Sequence, residues 1–135
     1  MARYSTIKIK ALLAESDKAA TSDLKGAKLE ELVACLFGKL CGVCLYGKNS
    51  FNEARSRELD LVFTVNRNYS DLHFLDAILP IESKNTNKST SSSEVNWFAN
   101  KVSDMGIRMG VLVSLFGVSG SDGNSNGMAE IRRAL

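Results

Sequence analysis

Proline and histidine are nearly missing from this chain: its 135 residues include one of each, Pro80 and His73. With a single imidazole, serine-histidine hydrolysis and histidine-based nuclease chemistry would have to rest on His73 alone, and both are disfavoured. Cysteine is scarce as well. Cys35, Cys41 and Cys44 are an odd number within ten positions, which argues against a disulfide framework and agrees with a reducing compartment. Zinc at the C-x-x-C of Cys41 and Cys44 would need two more ligands, with only Cys35 and His73 to draw on. The three therefore read as small apolar fillers at a helix end and strand start. The longest apolar runs, Val111 to Val113 and Ala77 to Ile81, fall far short of the roughly 20 residues that span a bilayer. The N-terminus shows no secretory pattern, and a cytoplasmic location is expected. The glycine-rich loop from Gly117 lacks the Gly-Lys-Ser/Thr ending of a phosphate-binding loop, which disfavours nucleotide hydrolysis.

Charge of one sign is also lacking. A net charge of +2 does not mark a nucleic-acid binder by itself, although a cluster of metal-neutralised carboxylates would leave the remaining surface more basic than the total suggests. What is present is an ordinary globular composition, 44% hydrophobic and 24% charged, at a length that suits one domain over residues 1–135.

Apolar spacing predicts a short helix from Ser5 to Ala14, carried by Ile7, Ala11 and Leu12. A longer one runs from Ser22 to about Leu40, capped by Thr21 or Ser22, with Leu29, Leu32, Val33, Leu36 and Phe37 as its stripe. Gly42 stops it, and Val43 to Tyr46 reads as a short strand ending in a turn at Gly47 to Ser50. Arg57 to Val65 alternates, with Leu59, Leu61, Phe63 and Val65 on one face and Asp60 on the other. A third strand runs from Phe74 to Lys84, with irregular pairing expected at Pro80. Asn85 to Ser93 reads as a polar loop closed by a serine cap. Beyond it lie a helix from about Ser93 to Met105, a strand from Gly110 to Phe116 buried on both faces, a loop from Gly117 to Gly127 and a short helix from Met128 to Leu135. The order predicts an α/β fold, αβββαβ with additional terminal helices: an antiparallel meander of three strands, a parallel fourth, and helices flanking the mixed four-stranded sheet.

Period-two geometry puts Glu82 and Lys84 on one face of the third strand, and an antiparallel neighbour brings Asp60 within reach of both. Two carboxylates completed by a backbone carbonyl and waters suit magnesium. Such an ion polarises a phosphoryl oxygen and activates water, while a nearby ammonium stabilises developing charge or positions the nucleophile. This is equipment for phosphodiester hydrolysis. The rival reading of Glu82 and Lys84, a solvated ion pair on an exposed strand, fits poorly with the apolar Ile78, Leu79 and Ile81 beside them.

Asp60 followed by Ile81-Glu82-Ser83-Lys84-Asn85 resembles the bipartite D…ExK motif of the PD-(D/E)xK nuclease superfamily. Gly26-x-x-Leu29-Glu30-x-x-Val33 is similar to the opening helix of the Mrr-like restriction endonucleases, and Trp97-Phe98 and Gly110 to Ser114 extend the likeness over roughly residues 22–120. Leu59 stands where the family name has proline, and Pro80 within the motif strand is a departure. The resemblance implies a restriction endonuclease-like core and Mg2+-dependent endonuclease activity on DNA, with Mn2+ able to substitute. It implies Asp60 and Glu82 as metal ligands, joined by the Ser83 carbonyl, with Lys84 catalytic and Glu30 assisting; Glu31 competes with Glu30 for that last role. A homodimer is expected, because one small site attacks one strand. The alternatives are a catalytically inactive nucleic-acid-binding or assembly module on the same fold, and a Holliday-junction resolvase-like or RNA-directed enzyme. Trp97 falls off the apolar stripe of its helix, placing it against the core, at a subunit contact or on a base.

Overall fold

A computed structural model describes residues 4–51 and 58–119. Along these residues run helices α1 (Thr6–Lys18) and α2 (Ser22–Phe37), strands β1 (Val43–Phe51), β2 (Glu58–Val65) and β3 (Ile78–Lys84), helix α3 (Ser92–Asp104) and strand β4 (Val111–Ser114). The strands form one sheet in the order β1-β2-β3-β4, with β1, β2 and β3 antiparallel and β4 parallel to β3. The α/β class, the meander and the parallel closing pair are those the sequence predicts. The expected helix from Met128 to Leu135 and most of the loop before it lie outside the described residues.

Both N-terminal helices start on hydroxyl caps, which satisfy orphan N–H groups of the first turn. Ser5 accepts from the Lys8 N–H, and Thr21 from that of Leu24. α1 runs four residues beyond the expected Ala14, because its inward face is Ile9, Leu12, Leu13 and Ser16 at i, i+3, i+4 and i+7. Ile7 is 83% exposed, so it does not anchor the helix as its spacing suggests. α2 buries Leu29, Leu32 and Val33 and ends at Phe37 rather than Leu40. Gly42, at φ +69°, turns the chain into β1; a Cβ there would lie 2.9 Å from that of Ser70, so only glycine suits.

The expected turn at Gly47 to Ser50 is instead strand. β1 continues along β2 through the pairs Gly47↔Val62, Lys48↔Leu61 and Ser50↔Leu59, with the register shift between Leu45 and Gly47 absorbing Tyr46 as a bulge. Asn49 adopts φ +46°, which asparagine tolerates better than most residues, so turn-like composition yields to the ladder.

β3 begins at Ile78, four residues later than expected, because turns occupy the segment before it: Ser70, His73 and Leu75 donate to the carbonyls of Asn66, Ser70 and Leu72. The irregular pairing expected at Pro80 is absent, since Val62↔Pro80 sits in unbroken register with β2. The Val65 N–H donates to Ala77 O, and antiparallel alternation then aims the hydrogen-bonding groups of Leu79 and Ile81 at β2 and the nitrogen of Pro80 the other way. Pairing with β4 starts only at Ile81↔Val111, so the missing proline donor breaks no ladder bond.

β4 is shorter than expected and half-buried along its whole length, because it forms the sheet edge and is not covered on both sides. Leu61, Phe63, Leu79 and Ile81 meet α2 on one face of the sheet as the main core, which Leu12 of α1 joins by packing of α1 on α2. α3 packs on the other, where a Cβ at Gly110 would strike Val102 and Phe98 at 2.7 and 2.8 Å. That approach seats α3 beside the polar end of β3. No helix among the described residues is long and apolar enough to cross a membrane.

Candidate active site

The site forms where β2 and β3 part company. Their ladder ends at Leu61↔Ile81, and continuing the register one step sets Asp60 opposite Glu82, on the face away from α2. Alternation aims the Ser83 N–H at β2. No ladder partner receives it. Asp60 Oδ2 accepts it at 2.8 Å, and the Ser83 hydroxyl approaches the same oxygen at 3.4 Å. N–H and C=O of one strand residue point the same way, so the Ser83 carbonyl also faces this gap, in keeping with Lys84 O turning to β4 to accept from Leu115.

Glu82 is 2% exposed, and a buried carboxylate needs compensation. It has two ammonium partners: Lys84 Nζ lies 2.9 Å from Oε1, and Lys101 Nζ lies 3.1 Å from Oε2. Lys84 is partly open to solvent, whereas the Lys101 side chain is 2% exposed. The structure thus brings Asp60, Glu82, Ser83 and Lys84 together.

Glu30, on α2, is close enough to feel the charge of this group. Burial first, and repulsion from Asp60 second, raise its pKa, with Lys48 on β1 partly opposing. Glu31 instead turns to Lys28 at 3.3 Å, so Glu30 is the helix acid whose charge the cluster feels. Asp60 is likewise raised, chiefly by burial and also by Glu82, against the Ser83 N–H, Lys84 and Lys101, which lower it. Burial works against the charge on Lys84, but its hydrogen bond to Glu82, and the attraction of Glu82, Asp60 and Glu94, leave its pKa raised. Lys84 is therefore an ammonium at neutral pH.

Among the described residues no three of histidine, cysteine, aspartate and glutamate gather tightly enough to hold a metal ion. The groups that could hold one are Asp60, Glu82 and the Ser83 carbonyl. All are oxygens, which suits a hard divalent cation that keeps part of its water shell. Burial first, and after it the repulsion of neighbouring carboxylates, raises Asp60 and Glu30, and a cation would relieve both.

Other sequence candidates lie elsewhere. His73 sits on the β2–β3 turn, edge-on to Phe74, at the end of β2 opposite Asp60. All three cysteines are free; Cys35 is half-buried but Cys41 and Cys44 are exposed, so the filler reading does not hold for the last two, which lie on the turn and edge strand beyond the core. Trp97 is 47% exposed and lies against a cation, the Lys101 Nζ, 3.6 Å from its ring centroid. Lys101 is the residue that sequence reasoning missed. The available signal was its place in α3, three residues after Phe98 and one before Val102, at the margin of the apolar stripe.

Comparison with protein-family models, curated proteins and solved structures returned no match to this chain.

Proposed function

We propose that this chain is a metal-dependent nuclease domain with a restriction endonuclease-like core that hydrolyses phosphodiester bonds of DNA. One observation carries the reading: at the end of the β2–β3 ladder Asp60 accepts the N–H of Ser83, next in sequence to Glu82, whose Oε1 holds the Lys84 ammonium. Asp60, Glu82 and the Ser83 carbonyl would hold Mg2+, or Mn2+ in its place. When bound, the ion supplies Lewis acidity toward a phosphoryl oxygen and lowers the pKa of a coordinated water.

The chain's own groups do the rest. Lys84 is charged and partly open to solvent, so it acts as a cation that stabilises negative charge developing on phosphoryl oxygens, not as a base. Glu30, its pKa raised by burial and then by Asp60, would accept a proton or orient water. The backbone bond from Ser83 to Asp60 orients that carboxylate and keeps it from swinging into solvent. A homodimer would present two such sites to the two strands of a duplex.

A second reading is favoured by one feature, the occupation of both Glu82 oxygens by lysines: a nucleic-acid-binding or assembly module on this fold that has lost turnover. Incubation of the protein with linear duplex, branched DNA, single strands and RNA, in Mg2+ and in EDTA, separates the readings. Metal-dependent cleavage of DNA, abolished by Lys84→Met, supports the nuclease. Binding without cleavage of any substrate supports the module, and cleavage confined to branched DNA or to RNA redirects the substrate assignment.

A further inference from the structure

A lysine ammonium taken out of water is costly unless its donors are satisfied. Lys101 meets that condition with three contacts. Its Nζ donates to Glu82 Oε2 at 3.1 Å and to the Glu58 carbonyl, and the Trp97 ring lies 3.6 Å away. Glu58 stands two residues before Asp60 in β2, and Glu82 lies in β3. Lys101 therefore bridges the two strands beyond the last pair of their ladder, Leu61↔Ile81. The bond from Ser83 N–H to Asp60 is the second bridge across the same gap.

We propose that Lys101 is a positioning residue for the carboxylate pair: it clamps Glu82 through Oε2, so that Oε1 is the oxygen offered to Lys84 and to a cation at Asp60. Trp97, one helical turn earlier on α3, covers the clamp. The inference rests on the nuclease reading and adds to it a residue on α3, outside the D…ExK pattern. Two consequences have opposite signs. Lys101 competes electrostatically with any divalent cation at Glu82, so its removal tightens metal binding. It also fixes the carboxylate orientation, so its removal slows turnover.

The test compares wild type with Lys101→Met, which keeps the apolar stem and loses the charge, and Lys101→Arg, which keeps a cation. Folding is followed by circular dichroism, Mn2+ affinity by calorimetry without nucleic acid, and kcat and KM with the DNA substrate. Folded Lys101→Met is expected to bind Mn2+ about tenfold more tightly, and to lose on the order of tenfold to a hundredfold in kcat with KM nearly unchanged. Lys101→Arg recovers part of both. Unchanged Mn2+ affinity and kcat in folded Lys101→Met overturn the proposal, as do losses that only track the folded fraction. Should Lys101→Met fail to fold, Lys101→Gln, which loses the charge and is one bond too short to keep both contacts, gives the same reading: tighter Mn2+ with slower turnover supports the clamp, and wild-type values for both overturn it. Asp60→Asn is the separate control. If it binds Mn2+ as wild type does, the metal site itself is wrong, whatever Lys101 does.

Discussion

The Ser83 N–H donates to Asp60 Oδ2 at 2.8 Å, where regular pairing would give it a main-chain carbonyl of β2. The carboxylate thus replaces one rung of the sheet, and the strands diverge around it. A side chain that both ends a ladder and faces a second carboxylate has a structural and a chemical task, and substitutions separate them.

Asp60→Asn keeps an acceptor for Ser83 while removing a charge that burial and Glu82 disfavour. It is expected to fold, to melt a few degrees higher, the shift produced by on the order of 1 kcal/mol in a domain of this size, and to lose metal-dependent cleavage. Asp60→Ala leaves the Ser83 N–H unpaired and should be less stable than Asp60→Asn by about 1–3 kcal/mol. Paired thermal and urea melts check the order.

The raised pKa values of Asp60 and Glu30 make a pH prediction. In the folded chain both hold protons at pH values where the unfolded chain, near 3.8 and 4.5, has released them. Through the window from those values up to the raised folded ones, their contribution to stability falls as pH rises. The double variant Asp60→Asn, Glu30→Gln is therefore expected to gain melting temperature over wild type on going from about pH 4 to pH 7 in metal-free buffer. An equal difference at both pH values would contradict it.

Lys84→Met is expected to lower kcat about a hundredfold or more, in the range found when one preorganised donor is removed. Lys84 is partly exposed but Glu82 is buried and keeps only Lys101, so the loss of stability should be about 1–3 kcal/mol, the cost of a buried acceptor left unpaired. Single-turnover cleavage beside a urea melt makes the comparison.

Sequence periodicity revealed most of the sheet because alternation in β2 and the glycine punctuation before and after the helices agree with the final packing. The adjacency of Asp60, Glu82 and Lys84 was legible for the same reason: in an antiparallel pair, register and period two leave few choices. The extent of β1 was hidden because Gly47 to Ser50 has turn composition, and only pairing with β2 holds it extended. Lys101 was hidden for a different cause. Its role depends on how α3 lies across the sheet, which i, i+4 spacing within the helix does not encode, and a lysine at the edge of an apolar stripe ordinarily extends its head to water.

The start of α3 offers an independent check. Ser91 and Glu94 form a reciprocal capping box, and hydrogen bonds from the Ser91 main chain and hydroxyl hold Glu94 below the usual carboxylate range. A lowered pKa contributes stability above the unfolded value that is lost as pH falls through the folded one. Ser91→Ala is expected to cost about 1 kcal/mol near neutrality, and the cost should shrink in acid as Glu94 takes up its proton. Urea melts at about pH 7 and about pH 3 test the trend.

The anomalous density of a crystal soaked in Mn2+ tests the central claim most directly. The account predicts a peak bonded to carboxylate oxygens of Asp60 and Glu82 and to the Ser83 carbonyl, absent in crystals of Asp60→Asn. No peak at these oxygens, or manganese bound only at another site on the chain, would contradict it.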